Sequence, residues 1–501
     1  MKKYSYIIIV LALSIFSRFM FLGLRPFDGD EGIIIKIAQS VNFQSLIKAV
    51  SQDVHPPLYH LLEFLTFKAL PLSEFSARLI SALAGALAIY FIYLFFRKIS
   101  TLKIALAVSL LSIINPVLSY HFAEARPYGL LVLLIFAQLY FFLKIMDHTT
   151  AKSEDMSDLV WFTILSVLMV FTQYISFAIF IGEVFYTLIF EGRHKINYKK
   201  IISTLTIIVV FGALWGKTFL SQMQGRMLEQ SQIVNLKANI MGIFNAIYRF
   251  FAGRLFLDLD PSISKNLEFL QSSPWAFAVF ALSVAVPLVL LIWGIVALYK
   301  KRRQNFWLIA IIFTPVLVGA LLSGEIGPRA ARYLLFLAPF GLYVIIELLE
   351  RKQTTFKNVL FTIFLLIYIS AFIYGFFPER KKPGADKIAE FISANAASGD
   401  QILVQGGFGG GESLVLKYYL GPRTDDYKID DLYGNYQVGN LSEVKNKKPS
   451  DEIAKLKTAD PARALWYYDF TYTFDEKTSL PFEKFPLGKD KENKELIVYK
   501  F

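Results

Sequence analysis

The sequence predicts an α-helical membrane protein that crosses the bilayer many times and ends in a small α/β domain. Its 501 residues are 55% hydrophobic and only 18% charged, whereas about 25% of the residues of a water-soluble protein are charged. Long apolar runs recur as far as residue 377 and then stop. Since a spanning helix needs about 20 mostly apolar residues, these runs predict a membrane domain followed by a domain outside the bilayer.

Eleven apolar runs are the predicted spans. They cover approximately residues 5–24, 76–96, 103–120, 127–146, 158–173, 175–191, 201–219, 275–298, 306–323, 332–350 and 356–377. The first run is too long for the apolar region of a signal peptide, and no small-residue cleavage site follows it. We therefore interpret it as an uncleaved span.

Basic residues indicate the orientation of the spans. The strongly basic short connections include 97–103, 193–200, 300–303 and 351–357, which fall on the same side as Lys2 and Lys3. Because Lys and Arg accumulate in cytoplasmic loops, we expect a cytoplasmic N-terminus in a plasma membrane. The segments predicted on the outer side are 25–75, 120–126, 220–274, 324–331 and the chain beyond about 378.

Composition excludes several functional classes. The net charge of +12 is explained by the basic loops. The sequence has no basic face with interleaved aromatic residues of the kind that would indicate nucleic-acid binding. The sequence has no cysteine, which excludes disulfides, thiolate catalysis and cysteine-ligated zinc.

The predicted domains are a membrane domain at 1–377 and an extracytoplasmic α/β domain at 378–501. Within the first outer loop, segments 32–50 and 57–70 are expected to be helices lying at the membrane interface. In the second domain the pattern predicts helices at 385–394 and 413–419 and strands at 401–405, 464–470 and 495–499. The glycine-rich run 406–411 lacks the spacing of a phosphate-binding loop, so we interpret it as a turn.

Three carboxylates, Asp28, Asp30 and Glu31, follow the first span within four residues. Crowding and partial burial raise the pKa of a carboxylate, which suits a general base. Such a group could equally hold a divalent cation such as Mg²⁺ or Mn²⁺. A solvated loop is the alternative without function.

His55 and Tyr59 belong to the run Asp53-Val54-His55-Pro56-Pro57-Leu58-Tyr59. The two prolines restrict the backbone beside His55. Its imidazole could transfer a proton or, when protonated, bind phosphate. A purely structural histidine is the alternative.

Arginines lie next to the fourth and tenth predicted spans. Glu124, Arg126 and Tyr128 adjoin the fourth, where Glu124 and Arg126 could simply pair with each other. Arg329, Arg332 and Tyr333 adjoin the tenth, and a spacing of three predicts that both arginines share one helix face. Arginine binds phosphate bidentately, so these residues predict a phosphate-bearing ligand. Further candidates are Arg78, Arg249 and Arg254.

Together these motifs resemble the GT-C glycosyltransferases, especially bacterial family 39 members similar to protein O-mannosyltransferases and aminoarabinose transferases. The resemblance covers roughly residues 1–350. It is based on Asp30-Glu31, His55-Pro56-Pro57-Leu58-Tyr59, Arg78 with Ser81 and Gly85, Glu124-Ala125-Arg126-Pro127-Tyr128, and Arg332-Tyr333-Leu334-Leu335.

The resemblance implies inverting transfer of a sugar from a polyprenyl-phosphate donor to an acceptor hydroxyl of the cell envelope. It implies that Asp30 is the catalytic aspartate, that Glu31 completes the pair and that His55 meets the donor phosphate. Two alternatives remain open. A transporter of a lipid-linked saccharide would bind the same phosphate without chemistry, but transporters place charge near the bilayer midplane, where the predicted spans have little. A structural membrane protein leaves the charged motifs unexplained.

Overall fold

A computed structural model describes most of the chain. The described residues are 2–20, 22–23, 25–148, 156–190, 198–229, 246–253, 273–322, 332–350, 354–374, 385–405, 411–431, 449–460, 462–469, 482–489 and 495–501. Residues 406–410 of the predicted glycine-rich turn, Arg254 and Arg329 lie outside them.

Helices dominate as far as residue 374. The first eleven are α1 Lys2–Phe19, α2 Gly29–Ala38, α3 Phe43–Ser51, α4 Leu58–Ala69, α5 Glu74–Ile99, α6 Leu102–Ile113, α7 Pro116–His121, α8 Tyr128–His148, α9 Met156–Val170, α10 Ser176–Phe190 and α11 Tyr198–Glu229. Four more are Pro274–Lys301, Arg303–Leu322, Leu337–Leu349 and Thr355–Tyr374.

Each of the eleven predicted spans contains an apolar helix, which confirms the predicted polytopic membrane fold. By length and composition, five helices within the described ranges can cross a bilayer: Glu74–Ile99, Tyr128–Met146, Thr206–Gln224, Phe277–Lys301 and Thr355–Tyr374. The shorter apolar helices are Tyr6–Phe19, Leu102–Ile113, Met156–Val170, Ser176–Phe190, Arg303–Val318 and Leu337–Leu349.

Two predicted segments begin or end elsewhere, and a third agrees with its prediction. The span predicted at 103–120 breaks where Asn115 caps a new helix that starts at Pro116. The single interfacial segment predicted at 32–50 is two helices, α2 and α3, and Asn42 caps the second. The predicted interfacial segment at 57–70 forms the single helix α4.

The chain divides into two compact units. The first comprises Met1–Leu22, Leu79–Gly216 and Gln232–Phe376, and its apolar helices form a bundle. Aromatic side chains fill part of its interior: the rings of Phe95 and Phe96 both lie 5.4 Å from that of Phe340. Rings at such distances attract one another through edge-to-face contacts.

The second unit comprises Gly23–Arg78, Lys217–Ser231 and Phe377–Phe501. It therefore contains both the segment predicted as the first outer loop and the C-terminal α/β region. Its C-terminal helices are Ala385–Asn395, Gly411–Leu420 and Pro449–Ala459, and its strands are β1 Gln401–Gln405, β2 Lys428–Asp431, β3 Leu465–Asp469, β4 Glu483–Lys489 and β5 Glu495–Lys500.

The five strands form one mixed sheet in the order β2-β1-β3-β5-β4. β1 is parallel to β2 and β3, while β5 is antiparallel to β3 and β4. Alternate residues of β3 pack on opposite faces: Tyr467 joins Leu403 and Ile453 in one core, and the ring of Trp466 lies 6.0 Å from that of Phe391. The predicted β1, β3 and β5 are confirmed, whereas the pattern did not predict β2 or β4.

Candidate active site

Glu31 and Arg78 form a buried ion pair in the second unit. Arg78 donates from Nε to Oε1 and from Nη2 to Oε2 of Glu31, both at 2.8 Å. Arg78 also donates to the carbonyl oxygens of Arg25 at 2.6 Å and Pro26 at 3.1 Å. Both members of the pair have 0% exposure, so the Arg78 guanidinium fixes Glu31 and the backbone before α2 in one arrangement.

Asp28 and Glu31 also cap the start of α2. The Asp28 carboxylate accepts from the Glu31 amide at 3.0 Å, and the Glu31 carboxylate accepts from the Asp28 amide at 3.1 Å. This reciprocal capping fixes the first turn of the helix. Asp30 lies in that turn and is exposed. The N-terminus of the helix favours the negative charge of Asp30. Among the three predicted carboxylates, Asp30 is the exposed one.

His55 lies beside a carboxylate of its own loop. Its Nδ1 is 2.9 Å from Asp53 Oδ2, and His60 Nε2 is 3.4 Å from the same oxygen. Burial alone would raise the pKa of Asp53, but His55 and then His60 outweigh it and hold that pKa well below its usual range. An ionised carboxylate only accepts hydrogen bonds, so the Nδ1 of His55 carries the proton.

Glu63 is a buried carboxyl group that the sequence analysis did not single out. It has 0% exposure on α4. Burial raises its pKa to about 8, and the charge of Glu31 adds to this rise, while a hydrogen bond from Tyr59 opposes it. Tyr59, a predicted site residue, is itself buried at 1% exposure. Glu63 is therefore largely protonated at neutral pH.

In the first unit, Arg126 is positioned through its backbone. Ser81 on α5 donates from Oγ to the Arg126 carbonyl at 2.6 Å. Gly129 allows the two helices to approach, because a β-carbon there would lie 2.6 Å from the Ser81 carbonyl oxygen. Glu124 contacts His121, whose Nδ1 is 2.6 Å from its Oε2.

Two arginines lie against Tyr128 at the start of α8. The guanidinium carbons of Arg126 and Arg332 are 5.7 Å and 6.0 Å from the centre of its ring. Arg332 is also 5.4 Å from the ring of Tyr333. Cations at these distances are attracted to the aromatic face. The first unit thus brings together four of the predicted site residues: Arg126, Tyr128, Arg332 and Tyr333.

Arg332 is in 3₁₀-helical conformation, residues 333–336 form turns, and the tenth apolar helix begins at Leu337. The helical face predicted for Arg329 and Arg332 stays a prediction, because Arg329 lies outside the described residues. Arg249 lies in a short helical stretch at 246–252 of the first unit.

The expectation of little charge within the spans has exceptions. Glu183 lies inside α10, is buried, and accepts from Gln138 Nε2 at 3.0 Å. Arg18 in α1 is buried and donates to Ser119 Oγ at 2.8 Å. Each thus has a hydrogen-bond partner on a neighbouring helix, as ionisable groups inside membranes usually do.

Among the residues described, no three His, Asp or Glu side chains converge as metal ligands do. Asp28 caps α2 and Glu31 holds Arg78, so the two are already engaged in other contacts. The arrangement does not support a divalent cation held jointly by Asp28, Asp30 and Glu31.

Residues 54–215 match the sequence model of a family described as dolichyl-phosphate-mannose-protein mannosyltransferase. This segment includes His55, Tyr59, Arg78 and Arg126. No curated protein matches the sequence significantly.

Solved structures resemble the whole chain. ArnT from Cupriavidus metallidurans in the apo state is 14% identical, with a TM-score of 0.53, and the match covers 100% of this chain and 98% of that one. The Archaeoglobus fulgidus oligosaccharyltransferase tethered to an acceptor peptide is 13% identical, with a TM-score of 0.54, and the match covers 93% and 69%. The archaeal oligosaccharyltransferase AglB from the same organism, in complex with an inhibitory peptide and a dolichol-phosphate, is 13% identical, with a TM-score of 0.53. The match covers 93% of this chain and 70% of that one.

These comparisons agree with the predicted family resemblance, and the helical bundle with its small C-terminal sheet agrees with the predicted fold class. The chain is a multi-pass membrane protein with the GT-C fold, and its residues 54–215 are similar to the dolichyl-phosphate-mannose-protein mannosyltransferases.

Proposed function

We propose that this protein is an inverting glycosyltransferase that moves a sugar from a polyprenyl-phosphate donor to an acceptor hydroxyl at the outer face of the cell membrane. The proposal rests chiefly on the match of residues 54–215 to a family that uses dolichyl-phosphate-mannose. The GT-C fold and the dolichol-phosphate complex of the structurally similar AglB support the same class of donor.

In this proposal Asp30 is the general base. It takes the proton of the acceptor hydroxyl as the hydroxyl oxygen attacks the anomeric carbon, and the bond from that carbon to the phosphate oxygen breaks. General-base catalysis contributes about 10²–10⁴-fold. The exposure of Asp30 supports this role, while the buried pairing of Glu31 with Arg78 supports a positioning role for Glu31.

Basic residues bind the donor phosphate in this proposal. Arg126 and Arg332 would hold the phosphate that departs with the lipid, since a positioned cation stabilises developing negative charge. His55 would donate to the same phosphate through Nε2, with Asp53 fixing its ring through Nδ1.

Replacement of Asp30 tests the proposal. Asp30→Asn should lower sugar transfer from a polyprenyl-phosphate donor by about 10²–10⁴-fold. Asp425→Asn, at an exposed carboxylate of the C-terminal region, serves as the control and should leave the rate unchanged. Wild-type turnover in a folded Asp30→Asn protein would remove Asp30 from the mechanism. The same assay examines the transporter alternative, because transport releases no free polyprenyl phosphate.

We also propose that the N-terminus is cytoplasmic and the C-terminal region extracytoplasmic. The chain has no cysteine, so a single introduced cysteine reports its own compartment. Val41, with 83% exposure in the first outer loop, should after Val41→Cys react with a membrane-impermeant maleimide on intact cells. Lys300→Cys, in the basic last turn of the Pro274–Lys301 helix, should react only after permeabilisation, and the reverse pattern would invert the topology.

A further inference from the structure

A helix of the C-terminal region, Gly411–Leu420, packs against α2, the helix that begins beside the predicted catalytic carboxylates. Both belong to the second unit. Glycines allow the contact: a β-carbon on Gly32 would lie 2.8 Å from Val415 Cγ2, and one on Gly411 would lie 2.9 Å from Ile33 Cγ1. Real β-carbons do not come so close to their neighbours, so the backbones approach only because side chains are missing.

Two consecutive tyrosines of this helix bind one carboxylate, that of Glu74 at the start of α5. Tyr419 donates from its hydroxyl to Glu74 Oε1 at 2.8 Å, and Tyr418 donates to Glu74 Oε2 at 3.1 Å. Burial and then the neighbouring Glu74 raise the pKa of Tyr418 to about 12. Both hydroxyls therefore keep their protons and remain donors at neutral pH. Hydrogen bonds to an ionised acceptor are stronger than neutral ones.

The hydroxyl of Tyr419 has a second role, as an acceptor. The amide of Phe27 donates to it at 2.9 Å. Phe27 immediately precedes Asp28, the residue that caps α2. Its ring lies 5.2 Å from the ring of Tyr418, at 69° to it, and 5.2 Å from the guanidinium carbon of Arg78. Phe27 thus connects the tyrosine pair to the residue that holds Glu31.

We propose that Tyr419, with Tyr418 and Glu74, positions the Asp30 carboxylate by fixing the backbone that leads into α2. The C-terminal region then has a defined part in the reaction: its Gly411–Leu420 helix holds the N-terminal turn that presents the base. Tyr419 is a positioning residue, since it acts through Phe27 and the Asp28 cap. The proposal deepens the proposed function, and only its activity measurement depends on that function.

Hydrogen exchange of the full-length protein in detergent tests the positioning directly. Tyr419→Phe removes the acceptor of the Phe27 amide, so amides of a peptide covering residues 27–38 should exchange about tenfold faster, as expected for the loss of about one hydrogen bond. Tyr427→Phe removes a tyrosine hydroxyl from the same region at a side chain that is buried at 7% exposure, and exchange of this peptide should not change. Equal exchange in wild type and Tyr419→Phe would overturn the proposal.

Glu74→Gln tests the same network from its other end and guards against a misfolded tyrosine variant. It keeps the shape of the side chain but removes the charge, so it should speed exchange of the same peptide by less than Tyr419→Phe does. The double variant should exchange no faster than Tyr419→Phe alone, because both substitutions break one network. Fully additive effects would contradict the proposed coupling.

The kinetic constants of sugar transfer are a further measurement, which a purely structural role of Tyr419 would not change. Tyr419→Phe should lower kcat about tenfold and leave KM for the polyprenyl-phosphate donor unchanged, since it alters the base and not donor binding. A raised KM with unchanged kcat would overturn the positioning role. If the wild-type protein transfers no sugar, the proposed function fails, while the exchange result still decides whether the tyrosines hold α2.

Discussion

Arg78 holds Glu31 through two parallel hydrogen bonds of 2.8 Å, and neither side chain has exposed surface. A carboxylate with both oxygens engaged in this way has little capacity left to accept a substrate proton. Its neighbour Asp30 is exposed on the same helical turn. Adjacent carboxylates thus have different environments, which agrees with the roles proposed for Glu31 as a positioning residue and for Asp30 as the general base.

Removing one member of this pair should destabilise the fold strongly. Arg78→Met leaves the Glu31 carboxylate buried, with Arg25 Nη2 3.7 Å from it. The free energy of unfolding should therefore fall by about 3–5 kcal/mol. The double variant Glu31→Gln with Arg78→Met should recover much of the loss, since no buried charge remains. Thermal unfolding in detergent measures both.

Arg463→Met is the control, because Arg463 pairs with Asp460 at an exposed site, 3.2 Å apart with 54% of the Arg463 side chain exposed. Exposed pairs contribute about 0–1 kcal/mol. If Arg78→Met and Arg463→Met lowered Tm equally, the buried pair would not anchor the loop.

The apolar helices and the central strands could be predicted from the sequence because their signals are local. A long apolar run predicts a span, and an apolar β-branched and aromatic run predicts a buried strand. The strands that were missed, β2 and β4, are the two edges of the sheet. Edge strands contain charges and proline, as β4 does in Glu483–Lys489, and so they resemble loops.

Two misplaced helix ends had a signal in the sequence. Asn115-Pro116 is a cap followed by proline at the first helical position, which favours a helix start there. Pro339 lies in the first turn of the Leu337–Leu349 helix. Proline is tolerated in the first turn of a helix but disrupts its interior. Pro339 therefore indicates a helix start close to residue 337 rather than at Arg332.

The polar network on α4 could not be predicted in this way. His60 and Glu63 lie on a short amphipathic helix, where polar residues are typical of a solvated face. Only the tertiary fold reveals that His60 Nε2 is 3.4 Å from Asp53 Oδ2 and that the His60 and Glu63 side chains are buried. Burial by other parts of the chain leaves no local pattern in the sequence.

Asp53→Asn should lower stability in a manner that depends on pH. The pKa of Asp53 is lowered in the folded state, so its contribution is present above the unfolded pKa, near 3.8, and is lost as pH falls through the folded pKa. At pH 7 the loss should be about 1.5–3 kcal/mol, as for a hydrogen bond to a charged group. Unfolding measured from pH 7 to pH 3 should show a constant difference between the two proteins down to about pH 3.8, and a difference that narrows below it.

Asp425→Asn provides the comparison for Asp53→Asn, since Asp425 is exposed. Its unfolding curve should follow that of wild type throughout. A difference between Asp53→Asn and wild type that stayed constant down to pH 3 would argue against an ionised Asp53 beside His55.

Arg126→Ala and Arg332→Ala should weaken donor binding. Each guanidinium should contribute about 1.5–3 kcal/mol to a bound phosphate, which corresponds to about a 10- to 100-fold rise in KM for the polyprenyl-phosphate donor. Arg303→Ala is a matched control, because Arg303 also lies over a tyrosine ring, that of Tyr299, at 5.5 Å. Donor titrations that gave the same KM for Arg332→Ala and Arg303→Ala would exclude Arg332 from phosphate binding.

The wild-type protein should lose stability as pH rises because of Glu63, and the Glu63→Gln variant should not. Burial raises the pKa of Glu63 from 4.5 to about 8, so the folded state holds a proton that the unfolded state releases. Stability from this group is fully present below pH 4.5, declines as pH rises towards 8 and is gone above that. Glutamine keeps the neutral shape at every pH, so Glu63→Gln should match wild type in acid.

Above pH 8 the same variant should be more stable than wild type by on the order of a few kcal/mol. Tm measured in detergent from pH 5 to pH 9 reports the difference, and Glu390→Gln, at an exposed position, should follow wild type. A Glu63→Gln curve that fell with pH as steeply as wild type would mean that Glu63 is already ionised in the fold. Its charge would then lie buried near Glu31, and the guanidinium groups of Arg78 and Arg25 would have to offset two carboxylates rather than one.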